Sequence, residues 1–194
     1  MKPDLGEVPR LCGDTSLFCR FEETLGWMGL YALLNYFGPR LVIVVEVARE
    51  LDGHSRGGFP QLAMLKNTQL KGEYLHAQPE QLPSALALQV GQIARSWPDA
   101  DPARPRKNFG EVASVLLAQT AGYSAILDDG PGQRFARRRN VPCYTTRDVT
   151  VAMAASGALS EDDAAAIWAS VFRHQSDRHH FEAALAQLRA ARGT

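Results

Sequence analysis

Short apolar runs alternate with helical stretches along this chain, and that alternation constrains the fold more than any other feature. The clearest run is Leu41-Val42-Ile43-Val44-Val45, rich in β-branched residues. Gly38-Pro39, a helix stop, precedes it; Glu46 to Leu51 follows as a helical turn closed by Asp52-Gly53. Such a run predicts a fully buried strand. Leu11 to Asp14, Gly72 to His76, Tyr123 to Leu127 and Val141 to Tyr144 read as further short strands. Between them, Leu17 to Phe37 carries Trp27, Leu30, Tyr31, Leu34 and Phe37 at helical spacing. Pro60 to Lys66, Gln81 to Trp97, Glu111 to Thr120 and the basic Gln133 to Arg139 also read as helices. Arg147 to Ala191 reads as almost wholly helical, with a turn at Gly157 and an N-cap at Ser160. His54 to Gly58 and Pro98 to Asn108 read as loops. Strands alternating with helices predict an α/β fold with a mostly parallel sheet covered on both faces.

Composition narrows the class. The 194 residues are 45% hydrophobic and 22% charged, which is globular. Lys and Arg total 21 and so do Asp and Glu, so a strongly basic nucleic-acid coat protein is excluded. Three cysteines, Cys12, Cys19 and Cys143, fit a reducing, cytoplasmic setting better than a disulfide scaffold. The segment MKPDLGEVPR lacks the apolar core of a secretory signal. No apolar stretch reaches the roughly 18 residues a membrane span needs.

In open parallel sheets, ligands sit beyond the carboxyl ends of the strands. Acids occur at those places here. Asp14 closes the first strand, Asp128-Asp129 close a later one, Glu50 lies one helical turn past the Leu41–Val45 run, and Glu111 opens the helix before Tyr123. Converging carboxylates repel unless a cation neutralises them, and oxygen-only sets suit Mg²⁺ or Mn²⁺. Taken singly, each acid has an ordinary role. Asp14 suits a helix N-cap, Glu50 a solvated helix face, Glu111 a first-turn acid, and Asp128-Asp129-Gly130-Pro131 a turn. Only their joint order points to a metal site.

That order resembles the PIN-domain family of metal-dependent nucleases. Cys12-Gly13-Asp14-Thr15-Ser16 looks like the family's opening acid with its Thr/Ser. Val42 through Leu51 looks like its second strand and helix, with Glu50 as second acid. Gly110-Glu111-Val112-Ala113 looks like the Gly-Glu start of the helix bearing the third acid. Ala125-Ile126-Leu127-Asp128-Asp129, followed by Gln133-Arg134-Phe135-Ala136-Arg137 and the strand before Thr145, is the most specific match. The resemblance covers roughly 10–53 and 109–172. It implies a three-layer α/β/α domain over 1–194, with a helical insert at about 54–108 that could roof the site. A helical C-terminal extension lies at about 158–194. It implies metal-dependent ribonuclease activity with Asp14, Glu50, Glu111 and Asp129 as catalytic acids. Asp128 joins them as a metal ligand; which of Asp128 and Asp129 touches the ion stays open, with Asp129 favoured by spacing. Many relatives are toxins of VapBC-type toxin–antitoxin pairs, so the expected partners are RNA and an antitoxin protein, with a homodimer as the expected assembly.

Several other residues have two readings. Thr15 and Ser16 bind a phosphate or a metal water, or they cap the next helix. Arg134 and Arg137 contact substrate, or they line a solvated helix face. Residues 104 to 139 hold seven Lys/Arg against three acids, a surplus suited to a phosphate backbone. The glycines of Ser55-Arg56-Gly57-Gly58 let backbone approach a substrate, or they form a plain turn. His174, His179 and His180 lack the partner set of a zinc site. The alternatives to a nuclease are a non-catalytic RNA- or protein-binding module of the same fold and a metal-dependent phosphatase. The latter needs a second acid that Asp14-Thr15-Ser16 does not supply.

Overall fold

A computed structural model describes residues 4–66, 80–97, 100–104, 106–171 and 178–193. Along the chain run β1 (Leu11–Gly13), α1 (Thr15–Phe37), a 3-10 turn (Gly38–Arg40), β2 (Leu41–Val42) and α2 (Val45–Gly57). A longer 3-10 segment (Pro60–Lys66), α3 (Ser84–Arg95), α4 (Phe109–Ala121), β3 (Ser124–Ile126) and α5 (Gly130–Arg138) follow. The chain then forms β4 (Cys143–Tyr144), α6 (Thr146–Ala155), α7 (Glu161–Ser170) and α8 (Arg178–Arg192).

The four strands form one all-parallel sheet in the order β2-β1-β3-β4, flanked by the helices. The fold is therefore α/β, with helices in the insert and a helical C-terminal region, as the alternation predicts. The order reverses beside β1: its successor β2 lies on one side and β3 on the other. Gly13 pairs with Ile126 at the carboxyl ends of β1 and β3, so Asp14 and Leu127-Asp128 leave the sheet as neighbours. This is the switch point where ligand crevices open in such sheets.

The β-branched run makes a shorter strand than its length predicts. Only Leu41 and Val42 pair with β1, at Leu11 and Cys12. Val44 stays extended and bridges to Glu80, and the helix starts at Val45. The expected loop at His54–Gly58 is also corrected. Helix α2 continues through Gly57 and stops at Gly58, whose φ of 142° only glycine adopts readily. An Arg56–Asp52 ion pair one turn apart, at 2.6 Å, supports that last turn. The expected strand at Gly72 to His76 lies outside the described residues.

Helix α1 buries Leu17, Phe18, Phe21, Leu30, Leu33, Leu34 and Phe37. Gly26, at φ 61°, kinks it midway. Helix α4 is buried from Val112 to Ala118, covered by α2 and α3 and packed on β1 and β3. This explains why its sequence shows little polar–apolar alternation. In the C-terminal region Ser160 caps α7 as expected, and Trp168 packs edge-on against Phe181 of α8 at 5.8 Å. A hydrophobic cluster joins all these layers, from Leu5 to Leu185. Among the described residues no helix is long and apolar enough to cross a membrane.

Candidate active site

The chain leaves β1 at Gly13 and turns at once into α1, so Asp14 becomes the N-cap of that helix. Its Oδ2 accepts from the Ser16 hydroxyl at 2.9 Å and more weakly from the Ser16 amide at 3.5 Å. Its Oδ1 is buried without a hydrogen-bond partner. Only 4% of Asp14 is exposed. Burial, and then the charge of Glu50, push its pKa up to about 7 against the opposing influence of the Ser16 hydroxyl and the Thr15 and Ser16 amides. A helix cap alone explains Oδ2 and leaves Oδ1 unexplained.

Glu50 reaches the same place from α2. Its Oε2 accepts from the Thr15 hydroxyl at 2.5 Å and its Oε1 from the Gly110 amide at 2.9 Å. One carboxylate thus ties the starts of α1 and α4 to the middle of α2. Burial raises its pKa, while the Thr15 and Gly110 bonds and the His54 charge oppose the rise. A Cβ at Gly110 would stand 2.6 Å from Glu50 Oε2, so a larger residue there displaces the carboxylate. Asn108, at φ 66°, makes the left-handed turn that starts α4 against Glu50.

Asp14, Thr15, Ser16, Glu50 and Glu111 share one open cavity of about 750 Å³. Arg20 and Glu23 of α1 extend its wall, and Arg104, Arg106 and Lys107 arrive from the insert. Acids form the floor and cations the rim. Three of the lining cations thus come from the insert. His54 and Phe59 complete the wall beside Glu50.

The remaining expected residues lie elsewhere. Asp129 is the N-cap of α5 and accepts from the Gly132 amide at 2.8 Å. Asp128 accepts from the Thr146 amide and hydroxyl, each at 2.7 Å. Burial raises its pKa against those bonds and the charge of nearby Arg20. Neither is among the residues lining the cavity. Of the two, Asp128 feels the charge of Arg20, a residue of the cavity wall. Arg134 and Arg137 are exposed on α5 and also stand outside the lining. His179 and His180 lie in α8, and His174 is outside the described residues.

The donor set can be tested against a divalent ion. Among the described residues no group of three or more His, Cys, Asp or Glu side chains is gathered to hold a metal. The pair Asp14 and Glu50 is narrower but fits Mg²⁺ or Mn²⁺. Mg²⁺ keeps most of its waters and binds through one or two carboxylates plus substrate phosphate. The partnerless Asp14 Oδ1 is the kind of oxygen such an ion satisfies. A thiol nucleophile does not fit, since Cys19, on the cavity wall, has its pKa pushed up to about 12 by burial and neighbouring acids.

Sequence reading missed Cys19, Arg20, Glu23, His54, Phe59 and Asn108 as wall residues. A signal existed for some of them. Thr15, Ser16, Cys19, Arg20 and Glu23 recur at three- and four-residue spacing, one face of α1 leading from Asp14. Glu50 and His54 are four apart on α2 in the same way. Phe59 had no such signal, because its place depends on how the chain reverses after Gly58. No protein-family model matches this chain, nor does any curated protein or any solved structure.

Proposed function

We propose that this protein is a PIN-like, divalent-metal-dependent ribonuclease that hydrolyses RNA phosphodiester bonds in the Asp14–Glu50 cavity. One observation carries the reading: a carboxylate with a partnerless oxygen, raised in pKa first by its burial and then by a second carboxylate, beneath a rim of arginine and lysine. Asp14 and Glu50 hold the ion, with Glu111 within the same cavity. The ion supplies neutralising charge and a more acidic water. Ser16 and Thr15 orient the two carboxylates by donating to them. Arg104, Arg106 and Lys107 draw in the phosphate backbone, whose charge matches the rim. Glu50 keeps its orientation through the Gly110 amide. The reading extends to a toxin of a toxin–antitoxin pair, with a homodimer as its assembled form. A small DNA-binding protein encoded in the neighbouring reading frame tests that extension.

The experiment is metal-dependent cleavage of a mixed RNA pool by the wild type and by Asp14→Asn. Cleavage that needs Mg²⁺ or Mn²⁺ and disappears in the variant supports the proposal; metal-independent cleavage, or an unchanged variant, refutes it. A second reading is a non-catalytic RNA- or protein-binding module. It is favoured by the hydrogen bonds that occupy both Glu50 oxygens and both Asp128 oxygens. Mn²⁺ titration decides between them, because a binding module has no saturable Mn²⁺ site dependent on Asp14.

A further inference from the structure

The cavity wall carries one aromatic pair, and no step proposed above uses it. His54 sits one turn beyond Glu50 on α2, with its side chain exposed. The helix then ends at Gly58, and the chain reverses so tightly that the amides of Gly58 and Phe59 both bond to the His54 carbonyl. That reversal brings the Phe59 ring back against the imidazole, with centroids 5.9 Å apart and planes at 79°. Phe59 is half-buried and packs on the hydrophobic core, so its ring is held in place rather than free. Both rings line the cavity that contains Asp14, Glu50 and the cationic rim.

We infer that Phe59, with His54 set steeply against it, forms a nucleobase platform, on which a base of single-stranded RNA stacks on the phenyl ring and meets the imidazole at its edge while its phosphate lies toward Asp14 and Glu50. The chemistry of the wall separates into what a nucleotide needs: apolar aromatic surface for the base and cations for the phosphate. The cavity, about 750 Å³, lies within the roughly 300–1,000 Å³ typical of small-ligand sites. Bases in a duplex are already stacked on each other and cannot reach such a surface, whereas unpaired bases can. Stacking on an aromatic ring is tolerant of sequence, so the platform selects strandedness more than base identity. The turn at Gly58 therefore has a purpose beyond ending the helix: it places the phenyl ring. The platform presupposes that the cavity takes RNA, as proposed above.

The test uses the full chain carrying Asp14→Asn, so that RNA is bound without being cut. The probes are a short fluorescein-labelled oligoadenosine and an abasic ribose-phosphate strand of the same length and charge. Oligoadenosine should bind more tightly than the abasic strand. Phe59→Leu should weaken oligoadenosine binding by about tenfold to a hundredfold and leave the abasic strand unchanged. His54→Ala, at an exposed position where folding is not at risk, should show the same selectivity with a smaller loss. Equal affinity for both strands, or variants that change both equally or neither, would overturn the platform while the RNA reading survives. If the Asp14→Asn protein binds neither strand, the RNA reading fails and the platform with it.

Discussion

The carboxylate of Glu50 and the backbone of Gly110 meet across a separation of 60 residues. The Gly110 amide donates to Oε1 at 2.9 Å, and the space a Cβ would take is already filled by Oε2, 2.6 Å away. Position 110 is closed to any side chain while Glu50 holds its place. The glycine at the start of α4 thus lets Glu50 hold its place in the site.

Gly110→Ala should separate activity from stability. The displaced atom is the end of a flexible side chain, and alanine gains roughly 0.5–1 kcal/mol of helix propensity. The bonds from Gly110 and Thr15 are lost or weakened, at about 0.5–1.5 kcal/mol each. Urea melts should therefore place the variant within about 2 kcal/mol of wild type. Cleavage should fall at least tenfold, because Glu50 no longer points at the floor of the cavity.

Asp14→Asn should abolish cleavage, with a loss on the order of 10²-fold or more. The fold should survive, since asparagine caps helices about as well as aspartate. Circular dichroism and RNA cleavage on the same sample check both halves.

The pH dependence follows from the sign of the Asp14 shift. Its folded pKa is raised to about 7 from an ordinary 3.8, so the folded state holds the proton more tightly. That contribution to stability is complete below about pH 3.8 and is lost as pH rises through about 7. Wild-type protein without added metal should lose stability across this window, and Asp14→Asn should lose less. Mg²⁺ should raise the wild-type Tm more at pH 8 than at pH 5, and should leave Asp14→Asn unmoved. Thermal melts across pH with and without the metal measure all three.

Asp129 and Asp128 should respond differently to substitution. Asp129→Ala removes the α5 cap at a cost of about 1 kcal/mol and should leave cleavage nearly intact. Thr146→Val strips the buried Asp128 of a hydroxyl donor and should cost about 1–3 kcal/mol. Denaturant melts and cleavage rates on the two variants measure both effects.

Arg106→Ala should weaken RNA binding without touching the fold, because its side chain is exposed on the cavity rim. The slope of log affinity against log salt should become shallower by about one phosphate contact. Titrations at several salt concentrations read it directly.

Much of the sheet was legible from local pattern. Short β-branched and apolar runs bounded by Gly, Pro and Asp mark strands because buried parallel strands must be apolar on both faces. Asp14 and Ser160 could be read as caps because orphan amides at a helix start select such side chains. The extent of α2 could not, since Gly53 and Gly57 read as breaks and only Gly58 actually stops the helix. Nor could the length of β2, which depends on pairing with a strand distant in sequence.

The site divides along the same line. The order of residues by itself determined which acids leave strand ends, and so which could approach one edge of the sheet. Tertiary packing alone decided that Asp14 and Glu50 meet on a shared cavity floor, that Asp129 serves a helix end, and that Arg104, Arg106 and Lys107 reach the rim. The physical reason is that pattern encodes the facing of each element over a few residues. A carboxylate's partner, in contrast, depends on contacts between segments far apart in sequence, as Glu50 and Gly110 show.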